Sequence, residues 1–252
     1  MDINDAWKAT CKVLLGGEVG PLSSFEEYLS KDTVQLYSRK SCLSGRPVTV
    51  SMPQLPASAR YISMDEMASA SLPPAKPLSI NQIKDIDSLV QALGERAVYC
   101  GNVISGNSMA VSESDSCSNV HQIRRCTQVH DSKFIACSSM VRYSEFAFGS
   151  TQDAMSKYIV RAHETQRLTR CFEVLRTYIC TDCVYVANLE NCSDCLFSFN
   201  QRSRRLLIGN LALEKSRYLE LKKKLLDDIA QTLRSGRAVP SIAELIRDGD
   251  GS

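Results

Sequence analysis

Two neighbouring stretches decide the fold: Cys180-Thr181-Asp182-Cys183-Val184-Tyr185 and Cys192-Ser193-Asp194-Cys195-Leu196-Phe197. They match in chemical type at every position and begin 12 residues apart. The preceding chain carries the same triplet of a hydroxyl residue, a charged residue, and an aromatic residue or cysteine. Those earlier triplets are Ser132-Lys133-Phe134, Ser144-Glu145-Phe146, Ser156-Lys157-Tyr158 and Thr169-Arg170-Cys171. Successive triplets are separated by 12 residues, with a single step of 13, so this part of the chain is an internal repeat.

A 12-residue unit indicates coils of extended chain. It is too short for helical solenoids, whose repeats take about 33–47 residues, or for propeller blades of about 40–50 residues. Charged and apolar residues alternate within Asp194-Cys195-Leu196-Phe197, as they do in a β-strand. Serine and threonine suit the corners of such coils because their hydroxyls bind turn backbone. The spacing fits either a full narrow turn or half of a wider one.

From about residue 98 to residue 210, the chain therefore resembles the β-solenoid, or parallel β-helix, proteins. The resemblance implies a rigid rod that needs a cap at each end, and it implies no particular activity. The glycine-containing hexapeptides of left-handed acyltransferase solenoids and the calcium-binding nonapeptides are missing from the repeat. We expect the third residues of the six triplets to form one stacked row inside the solenoid. These are Phe134, Phe146, Tyr158, Cys171, Cys183 and Cys195.

The flanking sequence predicts helices and a small additional region, so the predicted fold class is α+β and mainly β. We expect an N-terminal α+β region over 1–72, a capping helix over 78–97, solenoid repeats over 98–210 and a C-terminal helical cap over 211–252. Each capping helix has an apolar stripe at helical spacing. The first stripe is Ile83, Ile86, Val90 and Leu93, and the second is Tyr218, Leu221, Leu225 and Ile229.

Composition limits the possible functions. With 30 Lys+Arg against 28 Asp+Glu in 252 residues, net charge does not draw the chain to nucleic acid or membrane. The sequence has no apolar run near the roughly 18–20 residues of a membrane span and no recognisable secretion signal, which predicts a cytoplasmic protein. Eleven cysteines is an odd number, so they cannot all pair in intramolecular disulfides.

The sharpest candidate for a site is Cys180, Cys183, Cys192 and Cys195, a C-x2-C-x8-C-x2-C array. Four thiolates would satisfy tetrahedral zinc, so zinc is the candidate cofactor. The gap between the two pairs is shorter than the usual 15–20 residues. The repeat also places Cys183 and Cys195 where other units carry core aromatic residues. We therefore favour four buried structural cysteines and no cofactor, with zinc as the alternative.

Other constellations are less specific. A thiol nucleophile would pair Cys126 or Cys137 with His121, His130 or His163. A two-carboxylate enzyme acting on carbohydrate would draw on the acids of the repeat, which are Glu145, Asp153, Asp182 and Asp194. Residues 202–237 carry ten basic and four acidic side chains, an excess that nucleic acid or another acidic partner could bind. We favour polar histidines on the faces of the coils, solvated acids on the solenoid surface, and the polar face of a docked helix for the basic stretch.

The sequence predicts a non-enzymatic intracellular scaffold or protein-binding module that associates with itself or docks a partner protein, with no catalytic or cofactor-binding residues. One alternative is a zinc-binding module that contacts RNA or another acidic partner. The other is a β-helix enzyme acting on carbohydrate. A protein partner or a homo-oligomer is expected, and a membrane partner is not.

Overall fold

The structure is a computed structural model that describes residues 1–52, 55–56, 58–67, 77–166, 169–236 and 238–247. The side chains of residues 163, 164, 166, 169, 243, 246 and 247 are outside the description. The predicted region boundary at residue 72, the basic residue Arg237, the chain end at 252 and the His163 side chain therefore lie outside the described part.

The N-terminal region is small and mixed. Its helices are α1 (Ile3–Leu15), α2 (Glu26–Ser30) and α3 (Ile86–Arg96), and its strands are β1 (Tyr37–Lys40), β2 (Pro47–Val50), β3 (Tyr61–Ser63) and β4 (Tyr99–Gly101). Strands β1 and β2 form an antiparallel hairpin, and β3 pairs with β4 in parallel. The side chain of Asp2 caps α1 by accepting hydrogen bonds from the backbone N–H groups of Asn4 and Asp5.

The middle of the chain is a parallel β-solenoid of about eight turns, as predicted. Glu145 faces Lys157 and Thr169 faces Thr181 in neighbouring strands, so one full turn takes 12 residues. Its strands are β5 (Ile104–Ser105), β6 (Met109–Ser112), β7 (Cys117–Arg124), β8 (Thr127–Ala136), β9 (Ser139–Arg142), β10 (Glu145–Phe148), β11 (Thr151–Ala154), β12 (Lys157–Gln166), β13 (Thr169–Tyr178), β14 (Thr181–Glu190), β15 (Ser193–Leu196), β16 (Phe199–Arg202), β17 (Arg205–Ile208) and β18 (Leu211–Ala212).

The backbone of the solenoid repeats every three residues. Every third residue from Asn119 to Arg161, and again from Arg170 to Leu206, is left-handed, with φ between +48° and +72°. From Val120 to Ser198, the side chain that follows each left-handed residue points inward and is buried, as at Val120, Ile123 and Cys126. Each turn therefore has four tripeptides and four corners. The strand alternation predicted from the sequence is wrong, because burial has a period of three residues instead of two.

The predicted single stacked row is wrong and divides into two rows. Lys157 pairs with Thr169, so the second residue of one triplet is aligned with the first residue of the next across the 13-residue step. Equivalent residues of the triplets before and after this step therefore occupy positions in the turn that differ by one residue. Phe134, Phe146 and Tyr158 are left-handed corners on the outside, and their rings stack at centroid distances of 4.9 and 4.8 Å. Cys171, Cys183 and Cys195 instead continue an inward row that begins with apolar residues of earlier turns, among them Ile135 and Ile159.

A second core lies outside the solenoid, where α1 packs along one of its faces. Trp7 meets the ring of Phe148 at 5.1 Å and donates a hydrogen bond from Nε1 to the carbonyl of Gly20. Helix α4 (Lys215–Arg234) contacts both α1 and β17 and buries Tyr218 and Ile229. The short helix α5 (Ile242–Arg247) packs on β13 and β14. Within the described residues, no helix is long and apolar enough to span a membrane.

The helix predicted over 78–97 exists in shorter form as α3, but its apolar stripe does not pack on the solenoid. Ile83, Ile86, Val90 and Leu93 are each at least half exposed. The C-terminal edge of the sheet is covered by β18, which turns back and pairs antiparallel with β17. Sequence periodicity found the amphipathic helix, but it carried no information on which surface the stripe would face.

Ile179 is a β-branched residue at a left-handed corner, where it is exposed, and such residues adopt this conformation at a high steric cost. Asn191 occupies the equivalent corner one turn later. We expect Ile179→Asn to raise the free energy of unfolding by about 1 kcal/mol, measured in urea, because asparagine tolerates left-handed backbone. The control Ile179→Val keeps the β-branch and should gain nothing. An equal gain in both variants would contradict the explanation by backbone strain.

Candidate functional site

The four cysteines predicted as a candidate metal site lie inside the solenoid. Cys180, Cys183 and Cys195 are fully buried, and Cys192 is 2% exposed. Each thiol donates to the carbonyl oxygen two residues earlier in the chain, at 3.3 Å from Cys183 Sγ to Thr181 and 3.3 Å from Cys192 Sγ to Glu190. These bonds close the corners of the coil.

Inward serines of earlier turns make the same bond. Ser132 Oγ donates to the carbonyl of His130 at 2.7 Å, and Ser144 Oγ donates to that of Arg142 at 2.9 Å. The serine oxygen also accepts from the next turn, since the backbone N–H of Ser144 donates to Ser132 Oγ at 3.1 Å. In the row that holds Ser132, Ser144 and Cys192, cysteine and serine are thus interchangeable small side chains, each satisfying backbone that burial would otherwise leave unpaired.

The thiols also interact with one another. The neighbouring thiol of Cys183 lowers the pKa of the Cys180 thiol below its usual range. Burial raises the pKa of Cys171 well above its usual range. Among the residues that the structure describes, no group of three or more His, Cys, Asp or Glu has the arrangement of metal ligands. Zinc binding by the four cysteines stays a prediction, and it would require their bonds to backbone carbonyls to break.

The row that a cysteine occupies should determine how well it tolerates serine. Cys192 lies three to five turns beyond Ser132, Ser144 and Ser156 in one row, whereas Cys183 shares its row with Ile159 and Leu207. We expect Cys192→Ser to change the free energy of unfolding by less than about 1 kcal/mol. Cys183→Ser should cost about 1–3 kcal/mol because it places a hydroxyl among apolar side chains. Equal costs in urea denaturation would contradict this assignment of the rows.

The candidate nucleophiles are not brought together with a base. Cys126 is fully buried, and its thiol donates to the carbonyl of Arg124 at 3.2 Å. Cys137 is buried on the outside of the solenoid, beneath the N-terminal helices. His130 instead pairs through Nδ1 with Ser118 Oγ at 2.7 Å, and His121 is exposed. Within the described residues, neither His121 nor His130 forms a hydrogen bond with the thiol of Cys126 or Cys137.

The four candidate carboxylates do not converge on one cleft. Glu145 lies between Lys133 and Lys157, at 2.9 and 3.1 Å. Asp182 and Asp194 occupy successive outer corners and approach Arg170 and Lys222, respectively. Asp153 points into the solenoid, where it is 2% exposed. Burial raises the pKa of the Asp153 carboxyl, and hydrogen bonds from Thr165, Ser156 and Ser144 offset that effect only in part.

A raised pKa at Asp153 makes folding depend on pH. The folded protein holds this proton more tightly than the unfolded chain, so Asp153 contributes most to stability in acid. That contribution is lost as pH rises from about 4 through the raised pKa. We expect the free energy of unfolding of the wild type to fall relative to Asp153→Asn between pH 4 and pH 7, measured in urea at each pH. A difference that stays constant over this range would contradict a raised pKa.

Sequence reasoning missed a buried charged cluster between the solenoid and the N-terminal segment. Arg161, only 2% exposed, contacts Asp32 at 2.6 Å and Glu173 at 3.1 Å, and it donates to the Tyr28 carbonyl at 2.9 Å. Its guanidinium also lies 4.3 Å from the centre of the Tyr28 ring. Burial raises the pKa of Glu173 to about 7. Opposite charges one repeat apart, at the same corner of successive turns, were a signal for the Arg161–Glu173 pair, but nothing in the sequence pointed to Asp32.

The predicted basic stretch forms an exposed surface at the C-terminal end of the solenoid. Three of its cations have ion pairs, namely Arg202 with Glu190, Arg217 with Glu220 and Lys222 with Asp194. Five more are exposed and form no ion pair within the described residues: Arg204, Arg205, Lys215, Lys223 and Lys224. Binding of RNA or another acidic partner to this surface stays a prediction.

The opposite end of the solenoid borders a cleft of about 590 Å³, which we call the N-terminal cleft. One wall is the first coil, including Val111 and Glu113, and the other is the N-terminal region, including Thr49 and Met64. Sequence reasoning gave no indication of this cleft, because its walls come from parts of the chain that are far apart in sequence.

In comparisons with known proteins, no protein-family model, no curated protein and no solved structure matches this chain.

Proposed function

We propose that this protein is a non-enzymatic intracellular scaffold or protein-binding module that associates with itself. The solenoid interior supports this, because the inward side chains of the described turns up to Ser198 are buried and most of them are apolar or small. The candidate nucleophiles and carboxylates lie on different faces or in the core, where they cannot act on one molecule together. All eleven cysteines are free thiols, which fits a reducing compartment.

The observation that carries the proposal is the exposed stripe of α3. Its residues Ile86, Val90 and Leu93 are 70%, 59% and 66% exposed, and Ile83, which precedes the helix, is 50% exposed. The 4-3 spacing of Ile86, Val90 and Leu93 is that of a coiled-coil seam, in which each helix offers knobs to holes in a partner of the same spacing. A second copy of α3 supplies such a partner. Contiguous exposed apolar side chains are also typical of interaction surfaces in soluble proteins.

We expect sedimentation velocity of the full chain to show a dimer whose fraction rises with protein concentration. The double variant Ile86→Ser/Val90→Ser should sediment as a monomer, because it removes two apolar side chains from the centre of the stripe. The control Gln91→Ala changes an exposed neighbour off the stripe and should dimerise like the wild type. A wild type that remains monomeric at every concentration would overturn self-association through α3.

A further inference from the structure

The two ends of the solenoid differ. At the C-terminal end, β18 pairs with β17 and occupies the edge of the sheet through Leu207–Ala212 and Ile208–Leu211. At the N-terminal end, β6 pairs with β7, and no other strand of the described chain lies on its second edge. An open edge presents backbone donors and acceptors to whatever approaches it.

The later turns show which groups β6 presents. A left-handed residue donates its N–H to the preceding turn, as Arg125 does to the Ser112 carbonyl at 3.1 Å and Cys137 does to that of Arg124 at 3.0 Å. The carbonyl of an inward residue accepts from the preceding turn, as Ser138 does from Thr127 N–H at 3.1 Å. By the same geometry, the carbonyl of Val111 and the N–H groups of the left-handed residues Ala110 and Glu113 face a turn that the solenoid does not contain.

Val111 and Glu113 line the N-terminal cleft, whose walls limit what can bind there. Pro47, Thr49 and Met64 stand opposite the first coil. They exclude the end of a second solenoid but leave space for a single extended chain. A volume of about 590 Å³ lies within the range of sites that bind drug-sized ligands.

We propose that the N-terminal cleft binds an extended segment of a partner protein, which adds to β6 as a parallel strand and carries an apolar residue followed by a basic residue. The inference rests on the proposed protein-binding function and names its surface and its partner chemistry. Strand addition is a recurring mode of peptide recognition, in which backbone bonds give affinity and side-chain positions give specificity.

The position of each group sets the peptide sequence. The apolar residue stacks on Val111 and extends an inward row that continues with Ile123 and Ile135. The next peptide residue makes two bonds, donating its N–H to the Val111 carbonyl and accepting from the Glu113 N–H. A basic side chain suits that residue because the carboxylates of Asp65 and Glu113 line the cleft. Their present ion pairs with Arg46 and Arg124 are exposed and weak, so a peptide cation can share them.

The probe is a synthetic peptide, Asn-Val-His-Gln-Ile-Arg-Arg-Ser, which copies residues 119–126 with serine in place of Cys126. In the protein this segment belongs to β7, which pairs with the edge of β6 away from the cleft. The peptide therefore has a sequence that adopts the backbone conformation of a solenoid turn. Its isoleucine would stack on Val111, and its first arginine would make the two backbone bonds. Fluorescence anisotropy of the labelled peptide, titrated with the full-length protein, should show saturable binding.

N-methylation of the first arginine amide removes the donor to the Val111 carbonyl and should weaken binding roughly tenfold. The matched control is N-methylation of the second arginine, a left-handed position whose N–H points away from β6, and it should bind like the parent peptide. In the protein, Val111→Asp should abolish binding, whereas Met109→Asp, at an exposed position of the same strand, should not. Thermal melts of both variants establish that they are folded.

Absence of peptide binding, or equal weakening by the two methylations, would overturn strand addition at β6. Sedimentation of the same protein keeps this failure separate from failure of the proposed function. If dimerisation through α3 persists while the peptide does not bind, the inference about the cleft falls and the scaffold function stands. If the wild type neither dimerises nor binds the peptide, both fall.

Discussion

The left-handed backbone at every third residue is the constraint on which the rest of the structure depends. Each left-handed residue changes the direction of the chain, so four tripeptides complete one turn of the solenoid. Apart from glycine, L-residues adopt this conformation at a cost of about 1–2 kcal/mol each, so an isolated coil of this kind would not form. Stacking offsets the cost, because each left-handed N–H finds a carbonyl in the preceding turn, as Tyr143 does with His130 at 3.2 Å. The solenoid is therefore stable only as a stack of many turns.

So short a turn leaves room for four inward side chains per layer, and this explains the high cysteine content. The inward positions of the middle turns hold small residues, such as Ser138, Ala147 and Ser150, which are all at least 98% buried. Serine and cysteine have the additional ability to hydrogen-bond a corner carbonyl. Cysteine is the more apolar of the two, and it predominates in the later turns, where the inward rows also contain Val174, Val186 and Leu189. The cysteines follow the packing of the coil.

The sequence determined the period of the solenoid but not its phase. Matching units from Cys180 to Phe197 fixed the 12-residue step, because these two turns carry the same residue types at equivalent corners. The phase was misjudged because Phe134 and Cys171 both follow a hydroxyl and a charged residue, although one lies at an outer corner and the other lies inside. Aromatic residues at outer corners resemble core residues in sequence when a helix covers the face beside them. A three-residue burial period is also neither helical nor strand-like, so hydrophobic periodicity alone could not reveal it.

The surfaces of the protein were less predictable than the solenoid, because they depend on where segments distant in sequence pack against it. A repeat constrains residues that are one turn apart, and it therefore indicates pairs such as Arg161 and Glu173. It does not constrain where α1, α3 or the β1–β2 hairpin lies relative to the coils. The difference between the two ends follows from the same limit. The chain reverses at Gly209 and Asn210, both left-handed, and thereby uses its own next residues to occupy the C-terminal edge. At the N-terminal end, the chain enters β5 from β4, which is already paired with β3, so it cannot also cover β6. A solenoid built from one continuous chain can fold back beyond its last turn, but before its first turn it needs a separate segment. Here that segment forms the far wall of a cleft instead of a cap.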